Sequence, residues 1–140
     1  MMTDTSINVA PSFERAYAYI EQLDLTYLVD AMCAESYPLP RWTKTDALKC
    51  VRLYKNFLLL FKMHPKENLV PTREIDECWH NHILYTKQYH SDCAQIFGHY
   101  LHQPALPTDD HSILVNDFLS TQQLYFAMFK EHMTIINTTS

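Results

Sequence analysis

The sequence predicts an all-α fold, a compact single-domain bundle of four to six helices, and three observations predict it. The 140 residues hold a single glycine, Gly98. Hairpin turns, phosphate-binding loops and dinucleotide fingerprints all rely on glycine for backbone conformations that other residues reach only with strain. Apolar residues recur at spacings of three and four along most of the chain, the period of an amphipathic helix. The length suits one hydrophobic core, and a composition 47% hydrophobic and 13% aromatic can fill it.

Residues 1–11 read as a flexible N-terminal arm, 12–134 as the single helical domain and 135–140 as a flexible tail. Ser12 can cap a first helix with Glu14 in its opening turn and Phe13, Tyr17 and Ile20 on one face. The stripe continues through Tyr27, Leu28 and Ala31, and Asp24 within it predicts a kink or a break. Pro38 and Pro40 in SYPLPRW stop any helix.

Thr45 is the expected cap of the next helix, with Asp46 in its first turn. Ala47, Val51, Tyr54, Leu58 and Phe61 line one side, while Phe57, Leu59 and Leu60 spread the apolar surface nearly all round. This is therefore predicted to be the most enclosed helix, ending before Pro65. After the crossing HPKENLVPT, the periodicity predicts a helix from Thr72 to Lys87 or Gln88, then another from Asp92 to His102 with Gly98 inside it. A close crossing or a side chain lying over Gly98 would account for a glycine there. QPALPTDD reads as a loop, and Asp109 or Asp110 as the cap of a long final helix. That helix carries two adjacent stripes, Leu114, Phe118, Tyr125, Phe129 and Val115, Gln122, Phe126, Met133.

With 16 acidic against 11 basic residues the formal charge is -5. A nucleic-acid backbone would be repelled and no basic run offsets this, so nucleic acid is excluded as a partner. No stretch approaches the roughly 20 apolar residues that a bilayer-spanning helix needs, so no membrane association is expected. The start, MMTDTSINVAPSF, lacks the basic lead and apolar centre of a signal peptide. The expected location is the cytoplasm, or export by a specialised secretion machine that reads no N-terminal signal. Cys33, Cys50, Cys78 and Cys93 are few and scattered, which reads as reduced thiols rather than a disulfide framework.

The chemistry-bearing stretch is VPTREIDECWHNHILYTKQYHSDC. With Ile75 at zero and about 100° per residue, Cys78, Trp79 and His82 fall on the apolar side, whereas His80 lies near 140° at its margin. His80 and His82 thus diverge and cannot share one ion from an unbroken helix. The i,i+4 pairs that can meet are Asp76–His80 and Cys78–His82. The first is either an oriented imidazole, a general base or half a metal site, or else an ordinary surface pair. The second is a thiolate–imidazolium pair or two zinc ligands. The plainer alternative is that His82 is a core group bonded to a carbonyl or tyrosine hydroxyl, with Cys78, Trp79 and Cys93 as packing residues. His99 and His102 at i,i+3 are either a metal pair or residues that cap and solvate a helix end.

The segment from Tyr54 to Pro104 resembles the glycine-rich domain-containing protein family of plants and bacteria, a domain of unknown function. Asp76, Trp79, His80, His82, Ile83 and Leu84 match its Asp-x-x-Trp-His-x-His-Ile-Leu signature. Tyr89, Asp92, Cys93, Phe97, Gly98, Leu101 and His102 match the downstream half, with Pro65 and Val70–Pro71 ahead. This chain has Leu84-Tyr85-Thr86 where small bacterial members read Leu-Asp-Thr. It has His102-Gln103-Pro104 where two histidines precede the proline, and it lacks the glycine-rich tail. The resemblance implies that Asp76, His80, His82, Asp92 and His102 form something specific. As a mixed nitrogen and oxygen set, not all used together, they suit one divalent metal such as zinc, iron or manganese.

Two functions of different classes follow. One is a non-catalytic helical module that binds another protein as an inhibitor or adaptor, forming a homodimer, with Leu114, Phe118, Tyr125 and Phe129 as contact residues. The other is a metal-binding protein or metal-dependent enzyme built on the Asp/His cluster around residues 76–102. Whether any reaction is catalysed is left open by the sequence.

Overall fold

A computed structural model describes residues 10–34, 42–103 and 111–134, and every element among them is helical. The order is α1 (Phe13–Gln22), α2 (Thr26–Cys33), α3 (Lys44–Met63), α4 (Arg73–Leu84), α5 (Thr86–Phe97) and α6 (His111–Phe129). The all-α prediction holds, with six helices around one core. Residues 1–9 of the expected arm at 1–11, the tail at 135–140, prolines 38 and 40 and the caps at 109–110 lie outside the described residues.

α3 is the axis of the bundle. It packs against α1, α2, α4 and α6, while α1 also meets α5, α2 meets α4, and α4 meets α5. Its buried residues run from Ala47 and Cys50 through Tyr54 and Phe57 to Leu60 and point in all directions. That is why its apolar surface is not confined to one stripe: a helix with neighbours on every side must be apolar all round.

The helix starts follow local chemistry. Ser12 accepts a hydrogen bond from the Arg15 amide, and Thr72 accepts one from Ile75. The cap of α3 is Thr43, which accepts from the Asp46 amide, and not Thr45, which lies within the helix. Both threonines satisfy the sequence rule, and Thr43 takes the role because Asp46 stands three residues on from it. The break expected near Asp24 is real. The Asp24 carboxylate turns back to accept from both the amide (2.9 Å) and the hydroxyl (2.7 Å) of Thr26, which separates α1 from α2.

Between α4 and α5 the structure departs from the sequence expectation. α4 ends at Leu84 and α5 begins at Thr86, so Tyr89 and Asp92 both sit within α5 rather than between two helices and at the start of the second. The break is a single residue, Tyr85, whose ψ of 73° turns the chain. No proline or glycine marks it. α5 then ends at Gly98, which adopts a left-handed conformation (φ +79°) as the C-cap, with its amide bonded to the carbonyls of Cys93 and Ala94. Gly98 is therefore a terminator and not an interior helix residue. It also has a chain segment lying over it: an added Cβ would meet Pro11 Cδ at 3.1 Å and Ala10 Cα at 3.3 Å.

Candidate functional site

α4 presents Ile75, Cys78, Trp79 and His82 to the core and leaves Asp76 and His80 exposed, as the helical wheel predicts. His82 is 1% exposed. Because the chain turns at Tyr85, α5 folds back beside α4 and brings Asp92 to His82, with Nε2 and Oδ2 2.9 Å apart. The other ring nitrogen, Nδ1, lies 2.7 Å from the Tyr54 hydroxyl of α3. The second oxygen of Asp92 accepts from the Tyr19 hydroxyl of α1 at 2.6 Å. One network thus joins α1, α5, α4 and α3 in the order Tyr19–Asp92–His82–Tyr54.

The partners assign the protons. A carboxylate only accepts, so Nε2 of His82 carries the hydrogen it donates to Asp92, and Nδ1 accepts from the Tyr54 O–H. Burial pushes the Tyr54 phenol well above its ordinary range, so it remains a donor at neutral pH. Tyr19 is also raised, by burial first and then by its bond to Asp92. Every polar atom of the Asp92–His82 pair is therefore matched, and a buried charge with this many partners is held rather than exposed to reaction.

A second polar ladder surrounds Trp79. Its indole N–H donates to the Tyr89 hydroxyl at 2.8 Å, and Tyr89 donates in turn to the Leu101 carbonyl. Tyr89 packs edge-on to the His82 ring, with centroids 4.8 Å apart. Tyr27 approaches from α2, packing edge-on against Tyr85 at 4.7 Å. Its hydroxyl is buried without a hydrogen-bond partner among the described residues, and burial followed by the nearby Asp92 charge pushes its phenol up to about 12. Tyr19 also lines a shallow depression of about 270 Å³ with Arg15, Ala18, Gln22 and Gln95.

The five residues singled out for a metal are not gathered in one place. His82 and Asp92 bond to each other in the core. Asp76 accepts instead from the Gln103 side chain at 2.5 Å, His80 is exposed, and His102 lies against the Tyr100 ring, centroids 4.6 Å apart. Among the described residues no three His, Cys, Asp or Glu side chains converge as a metal set. His82 as placed has no ring nitrogen free for an ion. Nor is Cys78 its partner: the neighbouring Cys50 thiol, together with burial, raises the Cys78 pKa well above the ordinary thiol value. His99 caps locally, with Nδ1 3.0 Å from the Tyr100 carbonyl.

Of the four contact residues expected on α6, Tyr125 is wholly buried and Leu114, Phe118 and Phe129 are partly so, with Phe118 and Phe129 packed on the core. That stripe faces inward. The exposed apolar residues of α6 are Ile113, Val115, Leu119 and Phe126. Val115 and Phe126 belong to the neighbouring stripe, one residue and thus about 100° further round the helix. Periodicity alone reveals two apolar stripes here and cannot say which meets α3. Three hydrogen bonds made the choice: Asn56 donates to the Tyr125 hydroxyl (2.9 Å), the Val70 amide to Thr121 (2.9 Å), and Arg52 to Asn56 (3.0 Å).

The plainer sequence reading, a buried His82 bonded to a tyrosine hydroxyl, is what the structure shows, but nothing in the sequence singled out Tyr54 for it or Tyr19 for Asp92, since both are drawn in from distant helices. No helix among the described residues is long and apolar enough to cross a membrane. A search of curated proteins and a search of solved structures each find no match to this chain. A family profile does match, across residues 15–113, and that span includes all four members of the Tyr19–Asp92–His82–Tyr54 network. The chain belongs to the UCP032817-like family.

Proposed function

We propose that this protein is a non-catalytic helical module that binds another protein, as an inhibitor or adaptor, and pairs with a second copy of itself through the outer face of α6. The observation that carries this reading is the character of that face. Val115, Leu119 and Phe126 are 45%, 50% and 44% exposed, at spacings that set them in one row with Gln122 between. From Ile113 to Phe129 the only charged residue is Asp117. A solvated helix face normally carries charge, whereas the centre of a protein interface is depleted of it and enriched in aromatic and aliphatic side chains. Spacings of four, three and four are those of a helix–helix seam, which a two-fold pair satisfies with the same residues on both sides.

The closed state of the polar network supports the non-catalytic half of the reading. A general base needs a free lone pair within reach of substrate, and both ring nitrogens of His82 are engaged in the core. The likeness of the α4 stretch to the glycine-rich domain-containing family belongs to the same reading: Asp92, Trp79 and His82 serve there to hold α4 and α5 together. A cytoplasmic location is part of it as well, in keeping with four cysteines that form no disulfide among the described residues.

Light scattering over a concentration series, on wild type and on the Leu119→Glu and Phe126→Glu variants, tests the proposal. The expected result is a concentration-dependent dimer that both substitutions convert to a folded monomer. A wild-type monomer at every concentration would overturn the pairing. Stoichiometric zinc, iron or manganese in untagged, chelator-free protein would replace the module reading with the metal one.

A further inference from the structure

Between α1 and α5 lies a feature that neither the closed core network nor the α6 face uses. Arg15, Ala18, Tyr19 and Gln22 stand at positions i, i+3, i+4 and i+7 of α1 and so form one row on a single face. With Gln95 of α5 they line the depression of about 270 Å³, just below the roughly 300–1,000 Å³ of small-molecule sites. Ala18, with nothing beyond its Cβ, leaves the hollow in the middle of the row. Tyr19 is fixed in its wall, because its hydroxyl donates to Asp92 at 2.6 Å. The other three polar side chains are uncommitted. Among the described residues the guanidinium of Arg15 and the amides of Gln22 and Gln95 make no hydrogen bond or ion pair, and all three are exposed. The acids that border the row are already taken, Glu21 by Arg52 at 2.9 Å and Asp92 by Tyr19 and His82. Glu14 diverges from Arg15 by about 100° round the helix.

We propose that this depression binds a small carboxylate that also carries an amide, the chemistry shared by an N-acylated amino acid and the carboxyl terminus of a peptide. The planar guanidinium of Arg15 matches a carboxylate with two parallel N–H donors, and a charge-assisted pair is about twice as strong as a neutral one. Gln22 and Gln95 each offer an amide donor and a carbonyl acceptor, the complement of the N–H and C=O of the ligand's own amide. The Tyr19 ring gives the aliphatic part of the ligand an apolar wall. The charge of the site is that of Arg15, which selects an anion over a cation. The formal charge of -5 on the whole chain repels a polyanion, so a singly charged ligand is favoured. A shallow, open hollow holds such a ligand weakly, with a Kd on the order of 1 mM. Because Tyr19 leads to Asp92 and then to His82, occupation of the hollow is felt in the core.

The experiment follows the NMR spectrum of the isotope-labelled full chain during titration with N-acetylglycine, acetate, the uncharged N-acetylglycinamide, or an acetylated tripeptide with a free carboxyl terminus. The expected outcome with N-acetylglycine is a saturable shift of the Arg15, Gln22 and Gln95 side-chain signals, accompanied by one at the His82 ring. Acetate should bind more weakly and N-acetylglycinamide not at all. Arg15→Gln should weaken N-acetylglycine about tenfold or more, with Arg15→Lys in between because an ammonium lacks the fork. Gln95→Ala should weaken N-acetylglycine severalfold and leave acetate unchanged, the mark of a contact to the amide. All the substituted side chains are exposed, and an unchanged melt shows that each variant is folded. Tighter binding of the tripeptide assigns the site to the end of a peptide, and equal or weaker binding assigns it to a free N-acyl amino acid. No saturation at tens of millimolar, equal binding of N-acetylglycinamide, or undiminished binding by folded Arg15→Gln would each overturn the proposal.

Discussion

His82 Nε2 stands 2.9 Å from Asp92 Oδ2 across a sequence separation of ten residues, and the one-residue break at Tyr85 is what lets them meet. The pair sits where α4 and α5 fold together, and Tyr19 and Tyr54 extend it to α1 and α3. Removing one member leaves a buried polar atom of its neighbour without its partner.

Replacing His82 with alanine should therefore lower stability by about 3 kcal/mol, because Asp92 keeps its burial and its bond from Tyr19 but loses the ring that faced its second oxygen. His80→Ala, on the exposed side of the same helix, should stay within about 0.5 kcal/mol of wild type. Thermal or urea melts of the two variants check this, and equal losses would contradict the placement.

Tyr54→Phe and Tyr19→Phe each remove one hydroxyl while keeping the ring. Each should destabilise by about 1–3 kcal/mol, the range for stranding a buried acceptor, with Tyr54→Phe the larger because His82 Nδ1 is wholly enclosed. The double variant should fall short of the sum, since the two bonds belong to one network. A denaturant series on the singles and the double measures that coupling.

Stability should decline on the alkaline side. Tyr19, Tyr27, Tyr54, Tyr89 and Tyr125 all have phenol pKa values raised by burial. The folded chain keeps these protons above the ordinary phenol value of about 10, where the unfolded chain releases them, so stability falls as pH climbs through that value. Phenolate absorbance should rise together with loss of helical signal, in one transition. Early, separate titration of all nine tyrosines would refute it.

Gly98→Ala should cost about 1–2 kcal/mol from the left-handed backbone alone, and more because its Cβ would press on Ala10 and Pro11. Amide exchange should show the segment around Ala10 and the end of α5 loosening together. Ala94→Gly, an exposed helix position one turn earlier, should cost only about 1 kcal/mol and leave the Ala10 segment protected.

The sequence by itself determined the helical class, most of the helices and the inward face of α4. One glycine, the three-and-four periodicity and the cap at Ser12 are local quantities, and local propensity decides them. The same holds for the inward turn of His82 and Trp79 and the outward turn of His80, because a wheel needs only the helix. Tertiary structure decided what those side chains meet. The break at Tyr85 has no local breaker residue. It exists because Tyr89 and Asp92 bond around Trp79 and His82 once α5 folds back. The choice between Leu114–Phe118–Tyr125 and Val115–Leu119–Phe126 as the buried stripe of α6 was equally invisible, since both satisfy the helical period. It was settled by Asn56 and Val70, which supply hydrogen bonds to Tyr125 and Thr121 from residues more than fifty positions away. Periodicity reports which residues share a face, and only packing reports which face finds a neighbour.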